Sequence, residues 1–169
     1  MDHDAMIIRL CKIIVLALIA LWITLTAFGN LTDYGTNWPF VQHVLAMDTI
    51  FPDAHIHYRA IQSPLLQHAA YALIIAVEGL AATLCWLGVW RLWHARHTAA
   101  TFQSAKSIAI LGLVSGITLW LGGFLVIGGE WFGMWMSSQW NGIESAFRFT
   151  IILMAMLLWL GQHEGTPND

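Results

Sequence analysis

Long apolar runs alternate with short polar segments along the chain, and the charged side chains fall almost entirely between the apolar runs. A transmembrane helix needs about 20 mostly apolar residues to cross the hydrocarbon core of a bilayer. The pattern therefore predicts an all-α protein, a four-helix transmembrane bundle that forms a single integral membrane domain over residues 1–169. The predicted spans are approximately 10–29, 67–90, 107–127 and 143–161.

The longest polar segment, residues 30–66, joins the first two spans as an outer loop. Its first part, Asn30–Phe40, has the composition of turns. A short amphipathic helix is predicted next, over Phe40–Thr49, because Pro39 suits a helix start and apolar residues recur at helical spacing. Such a helix lies flat at the membrane interface.

A second outer segment, residues 128–142, is dense in aromatic, methionine and amide side chains. This composition predicts a packed aromatic cap rather than a flexible loop. Burying Trp131 and Trp135, one turn apart, requires a partner surface, and the amphipathic helix is the nearest candidate. We expect the two segments to form one lid, with Phe40 or Val44 against the indoles.

Composition supports the membrane assignment and narrows the partners. Charged residues make up 10% of the chain and hydrophobic residues 58%, whereas a soluble domain carries about 25% charged residues. The net charge of −3 gives no basis for a nucleic-acid partner. The lipid bilayer is the expected partner, and a homo-oligomer or a larger membrane or periplasmic complex is compatible with the composition.

The positions of lysine and arginine predict the orientation. Cytoplasmic loops of membrane proteins carry an excess of these residues. Five of the seven lie before the first span or between the second and third spans: Arg9, Lys12, Arg91, Arg96 and Lys106. The long outer loop contains only Arg59. Both termini are therefore predicted to be cytoplasmic.

Ionisable side chains within the spans are the first candidates for function. Glu78 lies near the middle of the second span, where a carboxylate is costly and points to a functional role. Arg148 lies in the outer half of the fourth span, one turn after Glu144. The structural interpretation is a buried Glu78–Arg148 pair that sets helix register. A protonated Glu78 bonded to the third span and a proton or ion relay remain alternatives.

The second candidate is an outer-face cluster of His43, Met47, Asp48, Glu130, Trp131 and Trp135. His43 and Met47 are four residues apart and would share a helix face. A metal site would use His43, His55, His57 and Met47, because imidazole and thioether ligands suit copper and imidazole suits zinc. The alternative is plain interfacial packing under the tryptophans. No cofactor is predicted, and copper or zinc at these residues is the alternative.

A third feature is the small-residue spacing Gly112–x–x–x–Gly116 in the third span. Glycines at this spacing allow two helices to approach closely. They would pack either within the bundle or against a partner protein.

Several longer strings resemble a known family. They are Asn30–Asn37, Phe40–Thr49, Gly128–Trp135, and Trp140–Gly142 together with Ala146–Phe149. They are similar to the bacterial predicted small integral membrane proteins, domain of unknown function family 2165, along essentially the whole chain. The resemblance implies a multi-pass protein of the bacterial inner (cytoplasmic) membrane. It carries over no activity and no functional residue.

Two classes of function follow from these observations. No nucleophile–base constellation, phosphate-binding loop or dinucleotide fingerprint appears, so the sequence favours a non-catalytic accessory or interaction subunit of a membrane complex. The alternative is a small redox or metal-handling membrane protein that uses the outer histidines and methionines. An oligomeric transporter is a weaker alternative, because four short helices leave little room for a pathway.

Overall fold

The computed structural model describes residues 3–164, which are mainly helical and contain no strand. A π-helical segment continues α5. One short 3-10 turn lies between α2 and α3, and another follows the π-helical segment. The elements are α1 (His3–Thr32), α2 (Tyr34–Ala46), a 3-10 turn (His57–Arg59), α3 (Pro64–Ala95), α4 (Ala99–Ala105), α5 (Ser107–Ile117), the π-helical segment (Thr118–Trp131), a 3-10 turn (Met134–Met136) and α6 (Ile143–Gly161).

Four helical stretches are long and apolar enough to cross a bilayer: α1, α3, α6 and the continuous stretch Ala99–Trp131. The predicted four-helix transmembrane bundle is therefore confirmed. Large aliphatic side chains point outward where lipid would contact them, and Leu73, Leu158 and Leu18 are 60–73% exposed. Inside, α3 packs between α1 and α5, and α6 packs on α5 and the π-helical segment.

Glycines set the close contact between α3 and α5. A Cβ atom at Gly88 would lie 2.6 Å from the Cβ of Ala109, and one at Gly112 would lie 2.8 Å from the backbone nitrogen of Cys85. A Cβ at Gly116 would meet the side chain of Leu153 on α6 at 2.8 Å. The small-residue spacing of the third span thus serves packing within the bundle, which is one of the two predicted alternatives.

The bundle has two distinct ends. We call the end formed by α2, the two 3-10 turns and residues 128–142 the cap end, and the end where α3 stops and α4 begins the terminal end. At the cap end α1 continues to Thr32 and α2 starts at Tyr34, so the turns predicted between residues 30 and 40 are helical instead. Pro39 lies inside α2 rather than before it.

A buried cluster of charges closes the terminal end. Glu164 lies beyond α6, and its carboxylate accepts from Lys12 Nζ at 2.7 Å, from Lys106 Nζ at 2.7 Å and from Arg9 Nε at 3.3 Å. All four residues are at most 7% exposed. One carboxylate therefore holds together the start of α1, the α4–α5 junction and the chain after α6.

The charge cluster changes the titration of Glu164. Burial raises the pKa of its carboxyl, but the hydrogen bonds from Lys106 and Lys12 outweigh burial and hold the pKa below its usual range. Because the pKa of Glu164 is lower in the folded protein than the unfolded value of about 4.3, ionised Glu164 stabilises the fold at pH values above about 4.3. The contribution is lost as the pH falls through the lowered pKa.

We expect Glu164→Gln to lower the free energy of unfolding by about 3–5 kcal/mol, because three buried cations then lose their counter-charge. Thermal melting in mild detergent at neutral pH measures the loss. The matched control is Glu144→Gln, which removes one partner of an exposed pair with Arg148 and should cost about 0–1 kcal/mol. Equal losses in the two variants would show that the cluster does not stabilise the bundle. The difference in unfolding free energy between the two variants should shrink as the pH falls below 4.

Candidate functional site

A cavity of about 400 Å³ opens at the cap end of the bundle. Such a volume lies within the range of small-molecule sites, about 300–1,000 Å³. Exposed polar side chains, Asn37, Asn141 and Ser145, lie at its mouth, and the buried Glu78 lies at its base. The cavity is bounded by α1, α2, α3, the π-helical segment and the start of α6. It therefore lies where the four spans meet, and a few polar side chains interrupt its mainly apolar wall.

A chain of hydrogen bonds fixes the base of the cavity. Asn30 Nδ2 donates to both carboxylate oxygens of Glu78, at 2.8 and 3.1 Å. The hydroxyl of Tyr71 donates to Asn30 Oδ1 at 3.2 Å. Glu78 and Tyr71 are each 1% exposed. They are seven residues apart and lie on the buried face of α3, so α3 supplies both ends of the network and α1 supplies its middle.

Glu78 lies near the middle of α3 (Pro64–Ala95), where the sequence placed it within its span. Arg96, whose carbonyl accepts from Arg9 of the charge cluster at 3.2 Å, is 18 residues further along the chain, or about 27 Å at 1.5 Å per residue. With 32 residues, α3 is longer than a hydrocarbon core of about 30 Å is thick, so the middle of the helix need not be the middle of the membrane.

The predicted Glu78–Arg148 pair is wrong. Arg148 donates instead to Glu144, one helical turn earlier on α6, and the side chains of both are more than 60% exposed. The sequence argument compared only the positions of Glu78 and Arg148 along their spans. Those positions do not show that Arg148 points away from the bundle interior. The residue that replaces it is Asn30, which the sequence assigned to a turn and which lies in the last turn of α1.

Aromatic side chains form the apolar part of the cavity wall. Phe40, Tyr71, Trp120, Phe124 and Phe149 all line it. The ring of Phe149 is stacked between two indoles, with centroids 3.8 Å from Trp22 and 4.0 Å from Trp120. This three-ring stack crosses from α1 through α6 to the π-helical segment, so the wall is built from rigid, packed rings.

A second cavity, of about 520 Å³, lies beside the first. It runs between α2, α3 and the π-helical segment, and its lining is almost wholly apolar. Its edge includes Leu73, Val126 and Ile127, which are at least 52% exposed on the surface that faces lipid. The two cavities share wall residues, among them Phe40 and Phe124. The two cavities are thus neighbours that share part of one apolar wall.

The predicted lid is present, because α2 and residues 128–142 pack on each other at the cap end. Phe40 lies against Gly142, where an added Cβ would be 2.8 Å from the ring. The His43 imidazole stacks on Trp140 with centroids 4.8 Å apart. Thr49 and Ser137 share a hydrogen bond of 2.9 Å between their hydroxyl oxygens.

The indoles expected beneath Phe40 or Val44 lie elsewhere. Trp131 is 52% exposed and lies under the guanidinium of Arg59, which is 4.5 Å from the ring centroid. Trp135 is 49% exposed, and its ring is perpendicular to that of Phe51, with the ring centroids 5.9 Å apart. The expectation that Phe40 or Val44 buries them was wrong, because Phe40 turns inward toward the cavity.

The predicted outer-face cluster is only partly assembled. His43 Nδ1 bonds the carboxylate of Asp48 at 2.8 and 2.9 Å. Met47 is fully buried and follows the end of α2 in the left-handed conformation, with φ of 54°, so it does not share a face with His43 as predicted. Glu130 is exposed and lines a shallow cleft with Arg59. Within residues 3–164, no hydrogen bond or ion pair joins Glu130 to His43 or Met47.

The residues proposed as metal ligands are also dispersed. His55 is exposed, and His57 Nε2 lies 3.3 Å from the carbonyl oxygen of Phe51. Within residues 3–164, no three His, Cys, Asp or Glu side chains are grouped so that they could hold a metal ion. Copper or zinc binding at His43, His55, His57 and Met47 stays a prediction from sequence.

The fold and the cavity define a class of protein, a four-span integral membrane protein with a polar cavity beneath an aromatic lid. The family model of the predicted small integral membrane proteins, domain of unknown function family 2165, matches residues 8–163. The chain belongs to this family, as its sequence strings indicated. No curated protein matches the chain, and no solved structure does.

Sequence reasoning missed most of the polar side chains of the cavity. Asn30, Asn37 and Asn141 fall within strings that resemble the family, but their types alone fit turns. Ser145 follows Glu144 in a helical run and carries no signal of its own. The one usable signal was Tyr71, which is polar, lies within an apolar run and shares a helix face with Glu78.

The lid can be tested by crosslinking. Cysteines at Thr49 and Ser137, whose hydroxyl oxygens are 2.9 Å apart, should form a disulfide under mild oxidation in a Cys11→Ser background. The control pair places cysteines at Thr49 and Ser104, at opposite ends of the bundle, and should stay reduced. Gel mobility after limited proteolysis between the two positions reports the link. Absence of the 49–137 link in folded protein would show that the two segments do not pack together.

Proposed function

We propose that this protein is a non-catalytic accessory protein of the membrane whose task is to bind a small molecule in the cap-end cavity. The observation that carries the proposal is the cavity itself, which runs from neutral polar groups at an exposed mouth to the buried Glu78. A buried carboxylate is costly in an apolar setting, and a structural role would be met by a close cation. Glu78 has an amide as its partner instead.

The chemistry of the lining supports binding rather than catalysis. No histidine, cysteine, lysine or arginine is among the residues that line the cavity in the described part of the chain. General acid–base and nucleophilic catalysis normally need an acid or nucleophile and a base within hydrogen-bonding reach of each other. Glu78 and Tyr71 are instead joined through Asn30 and point into one network.

The orientation that best supports this function places the cap end outside the cytoplasm of a bacterial inner membrane. Arg9, Lys12, Arg96 and Lys106 gather at the terminal end of the bundle, which the positive-inside rule assigns to the cytoplasm. The cavity then opens to the periplasm.

A reporter that fluoresces only in the cytoplasm should therefore be bright when it is fused after Asp169. The matched fusion carries the same reporter inserted after Asp53, in the exposed cap-end loop, and should be dark. A periplasmic enzyme reporter at the two positions should give the reverse pattern. A dark fusion at Asp169 with an active periplasmic reporter there would reverse the orientation.

Blocking the mouth of the cavity tests the binding function. We expect Ser145→Trp to place an indole in the mouth, while Ser104→Trp adds the same ring at an exposed site at the terminal end. Small molecules retained through purification in mild detergent are identified by mass spectrometry for both variants and the wild type. A compound retained by the wild type and by Ser104→Trp should be missing from Ser145→Trp.

Adding that compound back should raise the melting midpoint of the wild type. A ligand at 100 times its dissociation constant stabilises a protein by about 2.7 kcal/mol, which is a shift of roughly 5–10 °C for a chain of this size. The same shift in Ser145→Trp would show that the compound binds outside the cavity. Identical retained compounds in all three proteins would contradict the proposal.

A further inference from the structure

We infer that the ligand of the cap-end cavity is a small organic cation, an amine or a quaternary ammonium compound, with Glu78 as its counter-charge. This inference rests on the proposed function, because it names the chemical class that the same cavity accepts. It follows from the charge of the lining, the direction of the hydrogen bonds, the aromatic wall and the chemistry of the mouth.

Glu78 is the only charged side chain among the described residues that line the cavity. The basic residue at a comparable depth, Arg148, is exposed and paired with Glu144. A carboxylate removed from water without a cation is strongly destabilised. A positively charged ligand offsets that cost, whereas a neutral ligand leaves it and an anionic ligand adds to it.

The hydrogen bonds point the same way. Asn30 uses its amide nitrogen for both oxygens of Glu78, and its amide oxygen accepts from the Tyr71 hydroxyl. A carboxylic acid would need an acceptor for its proton, and Asn30 presents only its donor to Glu78. With the amide nitrogen facing it, the carboxylate is placed to accept hydrogen bonds, which suits its ionised form. One amide also leaves acceptor positions on the two carboxylate oxygens open, since a carboxylate offers about four.

The aromatic wall suits a cation beside that carboxylate. Tryptophan, tyrosine and phenylalanine rings attract a cation to their faces, with tryptophan the strongest. The rings of Trp120, Tyr71, Phe40 and Phe124 line the cavity. Phe149 also lines it, but both faces of its ring are covered by Trp22 and Trp120, so it supplies apolar contact only. Carboxylate and rings together are the groups with which proteins recognise ammonium compounds, because the ion gains charge pairing and the alkyl groups gain apolar contact.

The mouth allows such a ligand to enter. Asn37, Asn141 and Ser145 are exposed and uncharged, so no positive charge opposes a cation there. Their amide and hydroxyl oxygens accept hydrogen bonds from the N–H groups of an amine. A volume of about 400 Å³ limits the ligand to a small organic molecule rather than a peptide or a whole lipid.

Matched pairs of a cation and its uncharged isostere test the inference. The probes are choline against 3,3-dimethyl-1-butanol and benzylammonium against benzyl alcohol, titrated onto purified full-length protein in mild detergent with melting midpoint as the readout. In the wild type, each cation should bind at least about tenfold more tightly than its isostere. In Glu78→Gln, the affinities of each cation and its isostere should differ by no more than about twofold. Glu144→Gln removes an exposed carboxylate outside the cavity and should keep the full preference.

The outcomes separate this inference from the proposed function. If the alcohols bind as tightly as the ammonium compounds and Ser145→Trp abolishes both, the cavity is a binding site for neutral ligands and the inference fails alone. If the cations bind equally to wild type and to Ser145→Trp, they bind outside the cavity and the inference fails, while the proposed function is still tested by the retained compounds. If no cation binds the wild type, the inference fails while retained compounds still test the cavity. Glu78→Asp, which keeps the charge, should retain a preference and covers the case in which Glu78→Gln does not fold.

Discussion

The hydrogen bond between Asn30 and Glu78 is the interaction on which the cap end depends. It joins the last turn of α1 to a buried position of α3, and α2 must start beside it because only Asp33 separates the two helices. Without the amide, a carboxylate would lie among apolar side chains with no partner, at a cost of several kcal/mol. The position of α1 against α3 is therefore fixed by polar chemistry as well as by apolar packing.

The two ends of the bundle solve the problem of buried charge in different ways. At the terminal end, one carboxylate on Glu164 is surrounded by three cations, and every described charge of the cluster has a close partner of opposite sign. At the cap end, Glu78 has only an amide and a cavity in front of it. The first arrangement is closed and suits stability, whereas the second is open and leaves a place for another molecule.

The lid and the π-helical segment surround the cap-end cavity and the apolar cavity beside it. Gly122, Gly123 and Gly128 of the π-helical segment lower its helix propensity and line the second, apolar cavity. The segment ends with Phe132 N–H donating to the carbonyl of Ile127 five residues earlier. Departures from α-helical geometry of this kind often occur at functional sites. Phe40 fills the space above Gly142 and closes the cavity toward the lid. The cavity therefore depends on backbone features that need small side chains.

Some assignments failed for identifiable physical reasons. Arg148 and Glu78 lie at similar depths on their helices, yet depth gives no information on the direction in which a side chain points. Met47 was placed on the face of His43 by counting four residues along a helix, but α2 ends at Ala46 and the left-handed residue that follows sends the thioether into the core. Helix ends depend on the surrounding packing and are difficult to locate from local sequence.

The sequence by itself determined the four apolar spans, a helix in the loop between the first two, the aromatic clusters and the family. These features follow from local hydrophobicity, because hydrocarbon accepts only segments whose backbone hydrogen bonds are satisfied internally. Tertiary structure alone decided that Asn30 meets Glu78, that Glu164 gathers three cations and that a polar cavity forms beneath the lid. Each of these depends on contacts between residues at least 41 positions apart, and such contacts arise only when helices pack at particular rotations.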